Sequence, residues 1–233
     1  MEKVIREEIT RFVQESPDNR FPESDELYFE EPLIGFAAAD DPLFMEYKKI
    51  IGQFHLTPDE IMKNVYGELK GDAKTVISWI LPISRETRES NRKEDKLPSR
   101  QWAFTRTYGE HFNNQLRMFV VEMLRFVSAQ ALAPLLSGMW RPVKDPKIGM
   151  ASTWSERHAA YAAGLGTFSL SDGFITEKGI AHRCGSVITD IDIVPTKRKS
   201  GSPMGNCLYF HDGSCGVCIK RCPVGAITPA GHD

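Results

Sequence analysis

Toward its end the chain concentrates thiols. The run Cys215-Gly-Val-Cys218-Ile-Lys-Arg-Cys222-Pro223 follows Cys207, so four of the five cysteines fall within sixteen residues. Thiolates this dense beside a Cys-Pro turn are the donor set of an iron–sulfur cluster, and a cluster means electron transfer. The bacterial ferredoxin pattern is C-x2-C-x2-C-x3-C-P. Registered on Cys222-Pro223, it makes Cys218 the third position, Cys215 the second and Asp212 the first. Iron–sulfur iron prefers thiolate, so Cys207, reaching across the loop 206–214, is the expected ligand in place of Asp212. Zinc is the competing metal, but zinc modules usually pair two separated C-x2-C knuckles and only one is present. The expectation is a 4Fe-4S cluster on Cys207, Cys215, Cys218 and Cys222. Cys184 stands apart and reads as a packed small side chain.

A second group of polar residues opens the stretch from Ser155 to Gly166. Glu156, Arg157, His158 and Tyr161 precede an alanine-rich face and the turn Gly164-Leu-Gly166. These four side chains are candidates to face a pocket. The Gly-x-Gly is weak evidence for a nucleotide, because the strand–turn–helix order of a dinucleotide fold is missing.

The elements that must position these groups show in the apolar spacing. Val4, Ile5, Ile9, Phe12 and Val13 predict a surface helix over 3–14, ended by the breaker-rich stretch 16–22. Thr57, Pro58 and Glu60 make a helix start with a capping box. Thr75 to Leu81 is β-branched, aromatic and apolar, a strand buried on both faces and ended by Pro82. Residues 84–100 are charged and read as an exposed connection. Apolar positions from Phe112 to Leu135 predict the longest helix, over 112–136. A further helix is expected from Ser155 to Ala163, stopped by Gly164, and a half-buried strand over 186–194. The basic linker 195–206 then leads into the cysteines. The expected architecture is α/β, or α+β, with a mixed-sheet core over 1–200 and a small ferredoxin-like iron–sulfur module over 201–233.

Bulk properties narrow the function. At 233 residues, 41% hydrophobic and 26% charged, the chain has the composition of an ordinary folded protein. Its formal charge of -2 gives no overall reason to expect nucleic acid, so no such partner is expected. No apolar run reaches the roughly 20 residues of a membrane span. The first residues lack a signal-peptide core, and an odd cysteine count fits a disulfide framework poorly. A reducing cytoplasm is the expected location.

Several motifs together resemble a known superfamily. Glu156-Arg-His-Ala-Ala-Tyr-Ala-Ala-Gly-Leu-Gly166, Ile175-Thr-Glu-Lys-Gly179 and Gly185-Ser-Val-Ile-Thr-Asp190 are similar to the core of epoxyqueuosine reductases and the corrinoid reductive dehalogenases. Gly35-Phe-Ala-Ala-Ala-Asp40, Ala73-Lys-Thr-Val-Ile-Ser-Trp79, Ser90-Asn91 and Arg100-Gln-Trp102 extend the likeness over roughly 33–233. The resemblance implies an α/β reductase core carrying a corrinoid such as cobalamin, fed by 4Fe-4S clusters. Within the pocket it implies, Tyr161 and His158 are the candidate catalytic residues, with Tyr161 a proton donor. Glu156, Arg157, Gly164, Gly166, Lys178, Arg183, Gly185 and Ser186 would bind the cofactor or substrate, Arg183 by holding an anionic group. A redox donor protein or small-molecule reductant would be the partner and a small organic molecule the substrate. Three departures stand against epoxyqueuosine reduction itself: one cysteine run where two are normal, Met150 where an acidic proton donor belongs, and the aromatic after Gly-Leu-Gly displaced to Phe168. The expectation is therefore an iron–sulfur oxidoreductase, with an electron carrier lacking its own substrate, or a zinc-stabilised binding protein, as alternatives.

Overall fold

The computed structural model describes every residue except 23, 69–71, 147 and 233. In chain order the helices are α1 (Glu2–Glu15), α2 (Leu43–Ile50), α3 (Pro58–Tyr66), α4 (Arg85–Arg92), α5 (Arg100–Phe126), α6 (Glu156–Ala162), α7 (Leu208–His211) and α8 (Val217–Arg221). The strands are β1 (Leu33–Ala38), β2 (Thr75–Pro82), β3 (Ala131–Leu132), β4 (Pro142–Asp145), β5 (Gly149–Ser152), β6 (Thr167–Phe168), β7 (Phe174–Ile175), β8 (His182–Thr189), β9 (Ile227–Thr228) and β10 (Gly231–His232).

The main sheet runs β1-β2-β8-β3 and is antiparallel throughout. Strand β2 is buried along its whole length. Its side chains alternate, as a period of two requires. Ile77, Trp79 and Leu81 join one apolar cluster with Ile5, Ile9 and Val13 of α1 and Phe112, Leu116 and Val120 of α5. Val76 and Ile80 join a second cluster with Phe44 and Tyr47 of α2, Ile61 of α3 and Ala159 to Ala163 around α6. Burial on both faces is the habit of parallel sheets. Here helices cover both faces of a sheet whose strand pairs are all antiparallel, so the expected mixed sheet is corrected and the fold is of the α+β form.

Local signals explain most boundaries. Ile5, Ile9 and Val13 recur every four residues and are the buried stripe of α1. At α3 the capping box is complete: Glu60 N donates to Thr57 Oγ1 (3.2 Å) and Thr57 N to Glu60 Oε2 (2.8 Å). Residues 84–100 hold more order than an exposed connection, because Ser84 caps α4 by accepting from Thr87 N. The longest helix starts at Arg100, twelve residues before the expected 112, where Ser99 Oγ accepts from Trp102 N (3.2 Å). It ends at Phe126, and residues 131–136 instead form β3 and a 3-10 turn begun by Pro134. The strand expected over 186–194 lies earlier, at β8.

Beyond the linker, α7, α8 and the β9–β10 ribbon form a small cysteine-bearing segment. Its root is stapled to the β6–β7 hairpin. Asn206 N donates to Thr167 Oγ1 (2.8 Å), Asn206 Nδ2 to Ile175 O (2.9 Å), and Phe168 N to Pro203 O (2.7 Å).

Candidate functional site

The turn after α6 sits between two backbones. Gly164 has φ +73°, and a side chain there would press on the carbonyls of Thr196 and Lys197. A Cβ on Gly166 would lie 2.4 Å from Ile175 O. Only glycine lets the turn wedge between the linker and β7. The wedge forms one wall of a cavity of about 720 Å³. Tyr161, Gly164, Gly166, Arg6, Arg198 and Asn206 are among its lining residues, and Leu208 and His211 of α7 close it from the cysteine-bearing side. Cys207, buried between Asn206 and Leu208, caps α7.

Three cations line one edge of the cleft, each paired with a carboxylate, Arg6 with Glu2 at 2.9 Å. Arg6 donates to the carbonyl of Ile34, lies 4.7 Å above the Phe36 ring and reaches Thr196 Oγ1 (3.4 Å). Arg198 pairs with Asp41 (2.5 Å) and donates to the end-of-helix carbonyl of Ala162 (3.3 Å). Lys199 pairs with Glu177 at 2.7 Å. Tyr161 is buried, with its ring 5.9 Å from that of Phe168.

Other expected site residues lie elsewhere. His158 does not line the cleft; it packs behind Phe168 (ring centroids 4.7 Å) and beside Tyr47 (4.8 Å), and its Nδ1 meets Ser155 Oγ at 2.8 Å. Burial lowers its pKa to about 3. His55, fully buried beside it, is held down to about 4 by burial, then by Lys48. Both rings are neutral. Glu156, Arg157 and Arg183 border a separate recess of about 360 Å³. There Arg117 Nη2 meets Glu156 Oε1 at 3.2 Å, Ser186 Oγ donates to Glu156 Oε2, and Trp154 Nε1 donates to Ser186 Oγ (3.0 Å). Desolvation pushes the Glu156 carboxyl up against the pull of Arg117. Gly185 faces the core: a Cβ there would fall 2.4 Å from the Trp79 indole. Lys178 donates to Glu31 O (2.9 Å) and so ties down its loop. Cys184 is half-buried, and burial pushes its thiol up to about 12.

The cysteines of the terminal segment are unpaired thiols. Cys218 lies in α8 and Cys222 caps it, one turn on, with Cys222 N donating to Cys218 O (3.1 Å). Backbone amides of Ile227, Val224, Ala226 and Gly225 surround Cys222 and pull its thiol below the usual range. Amides aimed at sulfur stabilise the thiolate a metal needs. Asp212, at the far end of α7, is exposed and accepts from Ser214 N (2.9 Å), a local turn contact. Among the described residues no three His, Cys, Asp or Glu side chains converge on one point. The thiol donors are of the type a cluster takes, but they are not gathered into a ligand shell here. Sequence reasoning missed Arg6, Thr196, Arg198 and Asn206. Only the basic run at 197–199 marked that edge.

No protein-family profile matches the chain, and no curated protein does. Solved structures do. One is epoxyqueuosine reductase with an epoxyqueuosine-modified tRNA-Tyr stem loop, at 17% identity and TM-score 0.52, covering 99% of this chain and 55% of that one. Another is epoxyqueuosine reductase from Bacillus subtilis with its catalytic aspartate loop swung out of the active site, with the same identity, TM-score and coverage. The chain thus spans about half the length of these structures and shares their fold. The expected absence of a nucleic-acid partner is corrected, because one of these structures holds a tRNA stem loop. A whole-chain charge of -2 does not by itself exclude such a partner, because association follows local fields. No described helix is long and apolar enough to cross a membrane.

Proposed function

We propose that the chain is an iron–sulfur oxidoreductase that passes electrons from the cysteine segment, 201–233, into the cleft. The observation that carries this reading is placement: Asn206 and Leu208, either side of Cys207, line the same volume as Tyr161 and the Gly164–Gly166 turn. A pure electron carrier has no use for such a volume. Cys215, Cys218 and Cys222 would hold a 4Fe-4S cluster with Cys207 as fourth ligand. When bound, the cluster supplies single electrons at a potential set by its thiolates and nearby amides.

The remaining work falls to this chain's own residues. The cleft is within the size range of sites for small organic ligands. It would take a small organic substrate or part of a larger cofactor such as a corrinoid. Tyr161 holds a proton at its hydroxyl for the reduced group. Arg6 and Arg198 offset negative charge there. His158, neutral and packed on Phe168, positions that wall. Glu156, Gly185 and Ser186 hold α6 to the sheet, and Lys178 anchors the 175–179 loop. With Met150 exposed on β5, no carboxylate stands at that position to protonate a substrate. A redox protein or small reductant supplies the electrons. A structured RNA is a further candidate partner, met by Lys197, Arg198 and Lys199, after the tRNA-bound structure of similar fold.

Anaerobic reconstitution with iron and sulfide tests the reading. The expected product is brown, carries about four irons per chain, and loses them in Cys218→Ser. Titrating it with cobalamin then asks whether the cleft takes a corrinoid. A colourless chain that takes up one zinc and no iron would sink the proposal.

A further inference from the structure

The 360 Å³ recess shares no lining residue with the larger cleft. It lies where α5, the first turn of α6 and β8 meet. Its polar side carries Arg117, Arg157 and Arg183 against Glu110 and Glu156. Its other side is apolar, with Leu135, Phe174 and Ile180. We propose that this recess binds a small monocarboxylic acid with an apolar body.

Three observations carry the proposal. The first is charge. Glu110 is shared, pairing with Arg117 at 2.8 Å and with Arg183 at 3.2 Å, while Glu156 pairs with Arg117 at 3.2 Å. Arg157 donates to the Asp172 carbonyl and has no ion pair among the described residues. Three guanidinium groups against two carboxylates leave one positive charge, carried by Arg157 at the exposed rim of the hollow. The neighbouring His182 adds none, because burial keeps it neutral, with a pKa of about 4. One carboxylate would balance the site.

The second is an unspent donor. Arg117 is 1% exposed, and its Nε has no hydrogen-bond partner. A buried N–H without a partner is unfavourable, so a side-chain shift that let an acceptor reach this closed-off donor would be a gain. Guanidinium forks match the two oxygens of a carboxylate better than a point cation does. The third is apolar exposure. Ile180 is 53% exposed at the recess, resting against Gly173, and Phe174 lies behind it. An acid with a ring or branched alkyl body would cover Ile180 while its carboxylate met the arginines. The volume is near the lower end of the usual range for ligand sites, which favours a small molecule.

The test is calorimetric titration of the full chain with benzoate, with neutral benzamide and inorganic phosphate as comparison ligands. Benzoate is expected to saturate one site, with benzamide and phosphate each weaker by at least about tenfold. Arg157→Gln changes an exposed side chain and leaves the fold intact by circular dichroism. It should weaken benzoate by at least about tenfold, and Ile180→Ser should weaken it to a smaller extent. Arg198→Gln, in the other cavity, should leave benzoate binding unchanged. Absence of saturable benzoate binding overturns the proposal. So does phosphate binding as tightly as benzoate, which would show charge alone at work. Weakening by Arg198→Gln in place of Arg157→Gln would put the ligand in the cleft and overturn it equally.

Discussion

The sheet core and the cysteine-bearing segment stand on different terms. In the core, two apolar clusters pack on opposite faces of β2, and Trp79, Phe36, Phe112 and Ile77 are fully buried. Burying one such side chain contributes about 1.5–3 kcal/mol. From residue 201 onward, Cys207 is the only buried side chain among the described residues. Leu208, Phe210, Val217 and Val224 are all exposed. A piece this small without a core needs cross-links to hold one shape, and free thiols are the cross-linking chemistry it carries. On the proposed reading the contrast separates two jobs: the core supplies stability and most of the cleft wall, while the segment offers thiols and would take its order from what they bind.

The largest expected effect follows from that separation. In Cys218→Ser/Cys222→Ser the segment should lose metal uptake and all protection from limited proteolysis. Metal-linked folding in small zinc modules is worth on the order of 10 kcal/mol, which sets the scale. The core's denaturant midpoint in the metal-free state should not move. If core and segment unfold together in the metal-free chain, the comparison drawn above is wrong.

The converse break lies at the buried Arg117. Glu156→Ala would leave this guanidinium, 1% exposed, with Glu110 as its one charged partner. Removing one side of a buried pair costs about 3–5 kcal/mol. Chemical denaturation of the variant should show that loss, while iron uptake by the cysteines stays at the level of the parent chain.

What could be read from the residues follows the same divide between local and distant. Helix α1, the Thr57 capping box and β2 declare themselves within a few neighbours, so period and cap were enough. Helix α5 did not, because its first turns bury Thr105, Gly109 and Asn113 in place of a run of apolar side chains. Asn113 is there to take Trp79 Nε1 (2.9 Å) and to reach Cys184 O (2.9 Å), partners from two different strands. Strand β1 is short, interrupted by Gly35, and gains its burial only from neighbours. At the site, Tyr161, Gly164 and Gly166 were legible because they are contiguous. Arg6 and Arg198 were not, because only the folded sheet brings α1 and the linker to the same cleft.

Acid offers a milder test of the core alone. His55 is 1% exposed, neither ring nitrogen has a partner, and burial lowers its pKa from 6.5 to about 4. A depressed folded-state pKa means that protons favour the unfolded chain. The stabilisation is therefore full above about pH 6.5 and is lost as pH falls toward about 4. At about 1.4 kcal/mol per pKa unit, His55 alone accounts for on the order of 3 kcal/mol, and His158 steepens the loss. His55→Phe keeps an aromatic ring between Tyr47 and Trp154 and removes the titration. Its stability should change less with pH over this window than that of the parent. An unchanged slope would mean that His55 already meets a proton partner.

The smallest effect expected is at Lys199, and it sharpens the comparison by contrast with Arg117. Both are cations paired with a glutamate at the edge of a cavity. Lys199 is 81% exposed and Glu177 58%, so water screens their 2.7 Å contact and little is gained by making it. Lys199→Ala should leave stability within about 0.5 kcal/mol of the parent. Its effect belongs to the long-range field instead. If the basic edge meets an RNA backbone, this variant should bind a stem-loop RNA more weakly, with a salt dependence shallower by about one counterion. Unchanged RNA affinity and salt slope, with stability also unchanged, would leave Lys199 a solvated side chain and take the basic edge out of partner recognition.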